Sequence, residues 1–133
     1  MNAKPFLDTN ILIYAFAPGP KGAIAEHLLA DGAFVSVQVL NEFANVSRRK
    51  LGLSWGDIED RIQVILALTA APLPITLERH AEARVIAARR KLAFYDALIV
   101  ASAIASGAGE LLSEDMHDGA KYGTVRVRNP FAA

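Results

Sequence analysis

The stretch Phe6-Leu7-Asp8-Thr9-Asn10-Ile11-Leu12-Ile13-Tyr14 decides the fold class of this chain. Lys4 to Leu7 reads as a short buried strand ending at Asp8. Ile11 to Ala17 reads as a short helix, stopped by Pro18-Gly19-Pro20. The same succession recurs downstream. Helix is expected over Ala23 to Leu29, and Phe34-Val35 is a very short strand. Ser36 is placed to cap a helix running to Lys50, closed by Gly52. Ser54-Trp55-Gly56-Asp57 resembles a capping box, followed by Ile58, Ile62, Ile65 and Leu66 on one face. Leu73 to Ile75 is a candidate strand. Leu77 to Leu92 is amphipathic, with Ala81, Val85, Ala88 and Leu92 predicted inward and Arg79, Glu82 and Arg89 outward. Tyr95 to Ser106 is apolar nearly all round, which marks a core helix. Leu111-Leu112 and Thr124 to Val127 are the last strands. Short apolar strands alternating with helices predict an α/β domain with a mainly parallel sheet, whose sites gather beyond the carboxyl ends of the strands.

Bulk properties narrow the class. A length of 133 residues suits one domain with a real core. The 53% hydrophobic content excludes disorder and suggests a surface covered by a second copy or a partner chain. The absence of cysteine removes disulfide frameworks and thiolate metal sites, and three scattered histidines (His27, His80, His117) argue against zinc. Net charge is zero, so nothing global points to nucleic acid, although Arg48-Arg49-Lys50, Arg89-Arg90-Lys91 and Arg126 with Arg128 form local basic clusters. The N-terminus lacks a signal pattern and the run Ala97 to Gly109 is too short to span a bilayer; a cytoplasmic protein with no membrane association is expected.

Four acids stand at the margins of apolar segments: Asp8, Glu42 in Val39-Leu40-Asn41-Glu42-Phe43, Asp96 in Tyr95-Asp96-Ala97-Leu98-Ile99, and Asp115 in Leu111-Leu112-Ser113-Glu114-Asp115. No Lys or Arg adjoins any of them. Asp8 and the segment Ser113 to Asp115 each follow a strand directly and so share one sheet edge. Each acid has an ordinary structural explanation. Asp8 or Thr9 can cap the following helix. Glu42 sits about 60° from Val39 around its helix, at the rim of the apolar face. Asp96 suits a helix N-terminus, worth roughly 0.3–1 kcal/mol, which does not account for its place on a helix buried on every side. Strand alternation turns Ser113 and Asp115 to one side and Glu114 to the other, while Asp118 before Gly119 is either a turn former or a fifth, outer acid. Converging carboxylates repel unless a cation is shared, and Mg²⁺ or Mn²⁺ takes oxygen ligands in this number. Such a centre suits hydrolysis of a phosphodiester. A phosphomonoesterase with Asp8 as nucleophile would want a second Asp two residues on, where Asn10 stands.

Four segments together resemble a known family: Phe6 to Tyr14, Ser36-Val37-Gln38-Val39-Leu40-Asn41-Glu42-Phe43, Tyr95 to Ala103, and Leu111 to Met116. The chain resembles the PIN-domain ribonucleases, and most closely the VapC-type toxins of type II toxin–antitoxin pairs. The resemblance implies a single PIN-like domain over residues 1–133, a three-layer α/β/α sandwich around a short, mainly parallel sheet. It implies one or two Mg²⁺ or Mn²⁺ ions held by Asp8, Glu42, Asp96 and Asp115, and metal-dependent endonucleolytic cleavage of RNA. It also implies a homodimer and a small inhibitory antitoxin through which any DNA contact would be indirect. Asn10 and Ser113 match polar positions beside the family's acids and are carried over as supporting residues. Asp118-Gly119 departs from the polar or basic residue many relatives have before this glycine, and Asp118 is a further candidate ligand. The rival expectation is a PIN-like binding or scaffold module without turnover.

Overall fold

A computed structural model describes residues 4–132. Two parallel strands set the frame: β1 (Phe6–Leu7) pairs with β2 (Glu110–Leu112) in the register Phe6↔Leu111 and Leu7↔Leu112. β4 (Val125–Arg128) lies parallel on the other side of β2, and β3 (Lys121–Tyr122) closes the order β1-β2-β4-β3 antiparallel to β4. Phe6, Leu7, Leu111 and Leu112 are fully buried, the near-continuous apolar pattern of a strand covered on both faces. The short strand β3 and its turn at Gly123 were not expected from the sequence, because a two-residue strand has no periodicity to read.

Six helices are described. They are α1 (Thr9–Ala15), α2 (Pro20–Ala30), α3 (Val37–Arg49), α4 (Trp55–Leu68), α5 (Leu77–Arg90) and α6 (Phe94–Ser106). The expected caps form: Ser36 Oγ accepts from Val39 N–H at 3.2 Å and Ser54 Oγ from Asp57 N–H at 3.1 Å. α1 ends before Pro18-Gly19-Pro20 as expected, and Pro20 also opens α2 at its first position, where a missing N–H costs nothing. At Gly22 a Cβ would stand 1.9 Å from the Ala17 carbonyl oxygen, so only glycine lets α2 fold this tightly back on the end of α1.

Two predicted strands reduce to isolated parallel bridges, Phe6↔Phe34 beside β1 and Ser36↔Leu73 beyond it. The prolines flanking Leu73 carry no N–H to extend a ladder, so pairing ends after one bridge. In α5 the predicted inward face is wrong in phase. Ala83 is fully buried, whereas Val85 is 48% exposed and Ala88 is exposed as well. Periodicity identifies an apolar stripe but not what covers it, and here α6 takes the neighbouring stripe, with Ala83, Ile86 and Ala87 packed on Ala97, Leu98 and Ala101. Helix α6 is the core helix its composition predicts: Ala97 through Ala103 are buried. It packs on β2 and β4 and against α3 and α5, which fixes its first turn, and Asp96, beside the carboxyl edge of the sheet. No described helix is long and apolar enough to cross a membrane.

Candidate active site

Asp8 leaves β1 at the carboxyl edge of the sheet. Its N–H donates to the Leu112 carbonyl at 3.0 Å, which sets it beside Ser113, the first residue after β2. The side chain is nearly buried and hydrogen-bonded on both oxygens. Oδ1 accepts from the Thr9 N–H at 2.7 Å, and Oδ2 accepts from Ser113 Oγ at 2.7 Å and Asn10 Nδ2 at 3.2 Å. Ser113, fully buried, also accepts on Oγ from the N–H groups of Asp115 and Met116 at 3.1 and 3.2 Å. That one hydroxyl therefore sets the turn that carries Asp115. Asn10 ties the same corner from α1. Its Nδ2 lies 3.3 Å from Asp115 Oδ2 and 3.4 Å from Ser113 Oγ, and its Oδ1 accepts from the Glu114 N–H at 3.0 Å.

Glu42, half-buried on α3, is held by two donors: Thr9 Oγ1 at 3.2 Å to Oε1 and Gln38 Nε2 at 2.9 Å to Oε2. Neither donor was predicted. The Gln38–Glu42 spacing of i, i+4 is a signal that places the two side chains together on a helix; Thr9 was weighed only as a cap. Glu114 also lines the cavity beside these acids, with its carboxylate tied to other partners. It pairs with Lys21, and Tyr14 Oη donates to it at 2.7 Å. The Lys21 ammonium, followed by the Tyr14 hydroxyl, holds the Glu114 carboxyl below the usual range. Nothing in the sequence connects Lys21 to Glu114, which lie on different elements. Asp118 stands outside the network; its Oδ1 accepts from the Asn129 N–H at 2.9 Å and ties the loop after Asp115 to the chain following β4.

The electrostatics are those of uncompensated carboxylates. Among the described residues none of the four acids forms an ion pair. Burial pushes the Asp8 carboxyl up from its ordinary 3.8 to about 6; hydrogen bonds from Ser113 and Thr9 oppose this, and the charges of Glu42 and Asp96 add to it. Desolvation, then the charge of Asp115, raises Asp96. The like charges thus link in a chain, Glu42 to Asp8 to Asp96 to Asp115. Beside them lies a cavity of about 280 Å³ whose walls include Thr9, Asn10, Glu42, Lys50 and Asp115.

All of these donors are carboxylate or amide oxygens, the set that hard divalent cations prefer over zinc or copper. Against this, no three His, Asp or Glu side chains among the described residues are grouped closely enough to hold one ion as they stand. The donor chemistry weighs more than the spacing, because carboxylates that repel one another stand apart until a cation neutralises them. The residues therefore fit Mg²⁺ or Mn²⁺ as a donor set, without presenting a closed cage.

The parallel sheet with acids gathered at its carboxyl edge defines an α/β protein with an acidic centre. The chain belongs to the PIN domain family, whose model matches residues 6–117, a span containing all four acids. Its fold is similar to that of a toxin–antitoxin complex from Klebsiella pneumoniae, at a TM-score of 0.72 and 21% identity over 97% of this chain and 99% of that one. It is similar as well to VapC20 from Mycobacterium tuberculosis, a toxin described as cleaving the sarcin–ricin loop (TM-score 0.66, 18% identity, covering 80% of this chain and 85% of that one). VapBC2 from Rickettsia felis, bound to a DNA fragment from its promoter, gives a TM-score of 0.66 at 21% identity over 93% of this chain and 96% of that one. No curated protein matches the chain.

Proposed function

We propose that this protein is a metal-dependent endoribonuclease and the toxin of a type II toxin–antitoxin pair, with residues 1–133 forming one PIN-like domain. The observation that carries the reading is the state of Asp8: a nearly buried carboxylate, raised to about 6, with two further acids acting on it and no cationic side chain in contact. An isolated buried charge of this kind is costly, and a shared divalent cation removes the cost for several acids at once. Asp8 and Asp96 are assigned as principal ligands, and Glu42 and Asp115 complete the acidic cluster.

A bound Mg²⁺ or Mn²⁺ would supply Lewis acidity toward the phosphoryl oxygens and a water of lowered pKa. The chain supplies position. Thr9 N–H and Ser113 Oγ fix the orientation of the Asp8 carboxylate, and Asn10 holds Asp115 relative to Asp8. Thr9 and Gln38 occupy both oxygens of Glu42 and so hold that side chain on the cavity wall. Lys21 offsets the charge of the ionised Glu114 carboxylate, and Tyr14 holds it with a hydrogen bond, beside the phosphate.

Support for a protein partner comes from the exposed apolar side chains Leu77, Val85, Trp55 and Leu68, which suit a homodimer and a bound antitoxin. DNA contact would then run through the antitoxin; the Rickettsia felis VapBC2 structure holds a DNA fragment from its promoter. A cytoplasmic location accords with an RNA substrate.

The test is cleavage of total RNA with Mg²⁺ or Mn²⁺ by the parent chain and by Asp8→Asn and Asp96→Asn. Loss in both variants is expected; full activity in both refutes the assignment. The spacing of the acids favours one rival, a PIN-fold scaffold without turnover. Calorimetry with Mn²⁺ separates the two, since a scaffold gives no binding that depends on these acids.

A further inference from the structure

We infer that the groove between α3 and the start of α6 is a nucleobase subsite, in which Tyr95 stacks on the base adjoining the scissile phosphate and Asn41 and Asn45 read its edge. The inference rests on the nuclease reading for the position of the scissile phosphate. It stands on separate residues.

The groove encloses about 310 Å³ and is lined by Gln38, Asn41, Glu42, Asn45 and Tyr95. Two rows of side chains run along α3 at i, i+4 spacing: Asn41 and Asn45 on one flank, Glu42, Val46 and Lys50 on the next. The first row lines this groove and the second lines the acidic cavity. Glu42 belongs to both walls, and Asp96 follows Tyr95 directly in the chain. A nucleotide whose phosphate is held at the acidic centre, where a divalent cation would offset Glu42 and Asp96, therefore has its base within reach of Tyr95. Lys50, about 12 Å along the helix from Glu42, is placed for a neighbouring phosphate.

The chemistry of the groove selects a base over other occupants. Tyr95 is 62% exposed although it adjoins the most buried helix, and its ring meets Phe94 edge to face at 5.8 Å, which props it outward. Among the described residues the amides of Asn41 and Asn45 and the Tyr95 hydroxyl make no hydrogen bond within the protein. A flat π surface beside unspent amide donors and acceptors matches a splayed-out base, which stacks on aromatics and is read along its edge by amides. A protein partner would want apolar lining, and the exposed apolar side chains Leu77 and Val85 lie on α5 instead. The groove itself carries no basic side chain, so the subsite acts through stacking rather than charge.

The experiment measures binding of short fluorescent single-stranded RNAs to the full chain in an Asp8→Asn background, which blocks cleavage and leaves the groove untouched. Tyr95→Ala is expected to weaken binding about 5- to 150-fold, the range of one lost base–aromatic stack, and Tyr95→Phe to stay within about twofold. The salt slope of the Tyr95→Ala variant should be unchanged, whereas Lys50→Met should reduce it by about 0.7 for one lost phosphate contact. A single abasic nucleotide moved along the RNA should reproduce the Tyr95→Ala loss at one position and add nothing to that variant. Asn41→Ala and Asn45→Ala should alter the ranking among poly(U), poly(A) and poly(C). Equal affinity of Tyr95→Ala and its parent, with folding intact by circular dichroism, overturns the subsite even where the unmutated chain cleaves RNA. Tyr95-dependent binding by a chain that never cleaves RNA upholds the subsite and overturns the nuclease. An unmutated chain that neither binds nor cleaves RNA in the presence of Mg²⁺ or Mn²⁺ overturns both. Recovery of a protein partner released by Tyr95→Ala, with RNA binding unchanged, reassigns the groove to that partner.

Discussion

The two halves of the acidic centre are built differently. Asp8 is locked: three donors from Thr9, Asn10 and Ser113 satisfy it, and strand pairing fixes its backbone. Asp96 and Asp115 are loose. Asp96 is half-buried and has no hydrogen bond among the described residues, and Asp115 is exposed with Asn10 as its one side-chain contact. The locked half carries its desolvation cost in the folded state at all times, as its raised pKa records. The loose half lacks such ties, whereas Glu42 is held by Thr9 and Gln38 as Asp8 is held by its donors. Two held carboxylates and two unheld ones suit the proposed cation, because the held pair would set its position and the others could close around it.

The strongest way to break this comparison is to neutralise one member of each half. Asp8→Asn and Asp96→Asn should each lower RNA cleavage by well over the roughly 10–100-fold typical of losing an outer partner. They should differ in stability. Asp8→Asn should remove most of the pH dependence described below, and Asp96→Asn, which deletes another raised carboxyl and one of the charges acting on Asp8, should only reduce it, read by thermal melts across pH. A pair of variants indistinguishable in both assays would erase the distinction between the halves.

The joint between the halves is Asn10. Asn10→Ala should reduce activity or Mn²⁺ affinity by about 10–100-fold with the fold retained, since it positions Asp115 against Asp8. An unchanged Mn²⁺ isotherm would show that the halves need no tie.

Proton linkage sharpens the same point. The folded pKa of Asp8, about 6, exceeds its unfolded value near 3.8, so the folded state binds more protons in that window. Metal-free stability should therefore fall as pH rises from 3.8 to 6, by up to on the order of 3 kcal/mol, and level off above it. Mn²⁺ binding needs the ionised carboxylate and should strengthen over the same interval. Chemical denaturation at pH 5 and pH 7, with and without Mn²⁺, reads both effects. Stability that rose with pH through this window in the metal-free protein would contradict the assignment to Asp8.

The smallest effect is expected at Asp118, whose carboxylate serves the Asn129 N–H and not the centre. Asp118→Ala should leave cleavage within about twofold, the scale of an ordinary surface change. A loss comparable to Asn10→Ala would make Asp118 a fifth member of the acidic cluster.

Much of the fold was legible because local chemistry wrote it. Ser36 and Ser54 cap the helices they announce, and the uniform greasiness of Ala97 to Ala103 identifies the helix at the centre. The misreadings share a cause. In α5 the stripe containing Val85 and Ala88 was assigned to the core, and α6 covers the adjacent stripe instead. Phe34-Val35 and Leu73 to Ile75 have strand composition, yet each finds only one bridging partner. At the candidate site, Asp8 and the segment after β2 could be set on one sheet edge from strand order alone. The grip of Thr9 and Gln38 on Glu42, and the turning of Glu114 toward Lys21, could not.

The sequence by itself determined the six described helices and the strands β1, β2 and β4, that the sheet is mainly parallel, and that four acids lie at the margins of its core. Those are consequences of local propensity, capping and apolar spacing, which act within a few residues. Tertiary structure alone decided which face of α5 is covered, and how Ser113 grips Asp8 and Asn10 grips Asp115. The two grips join groups about a hundred residues apart within hydrogen-bond distance, and the face of α5 is set by the packing of α6; only the folded chain fixes such placements.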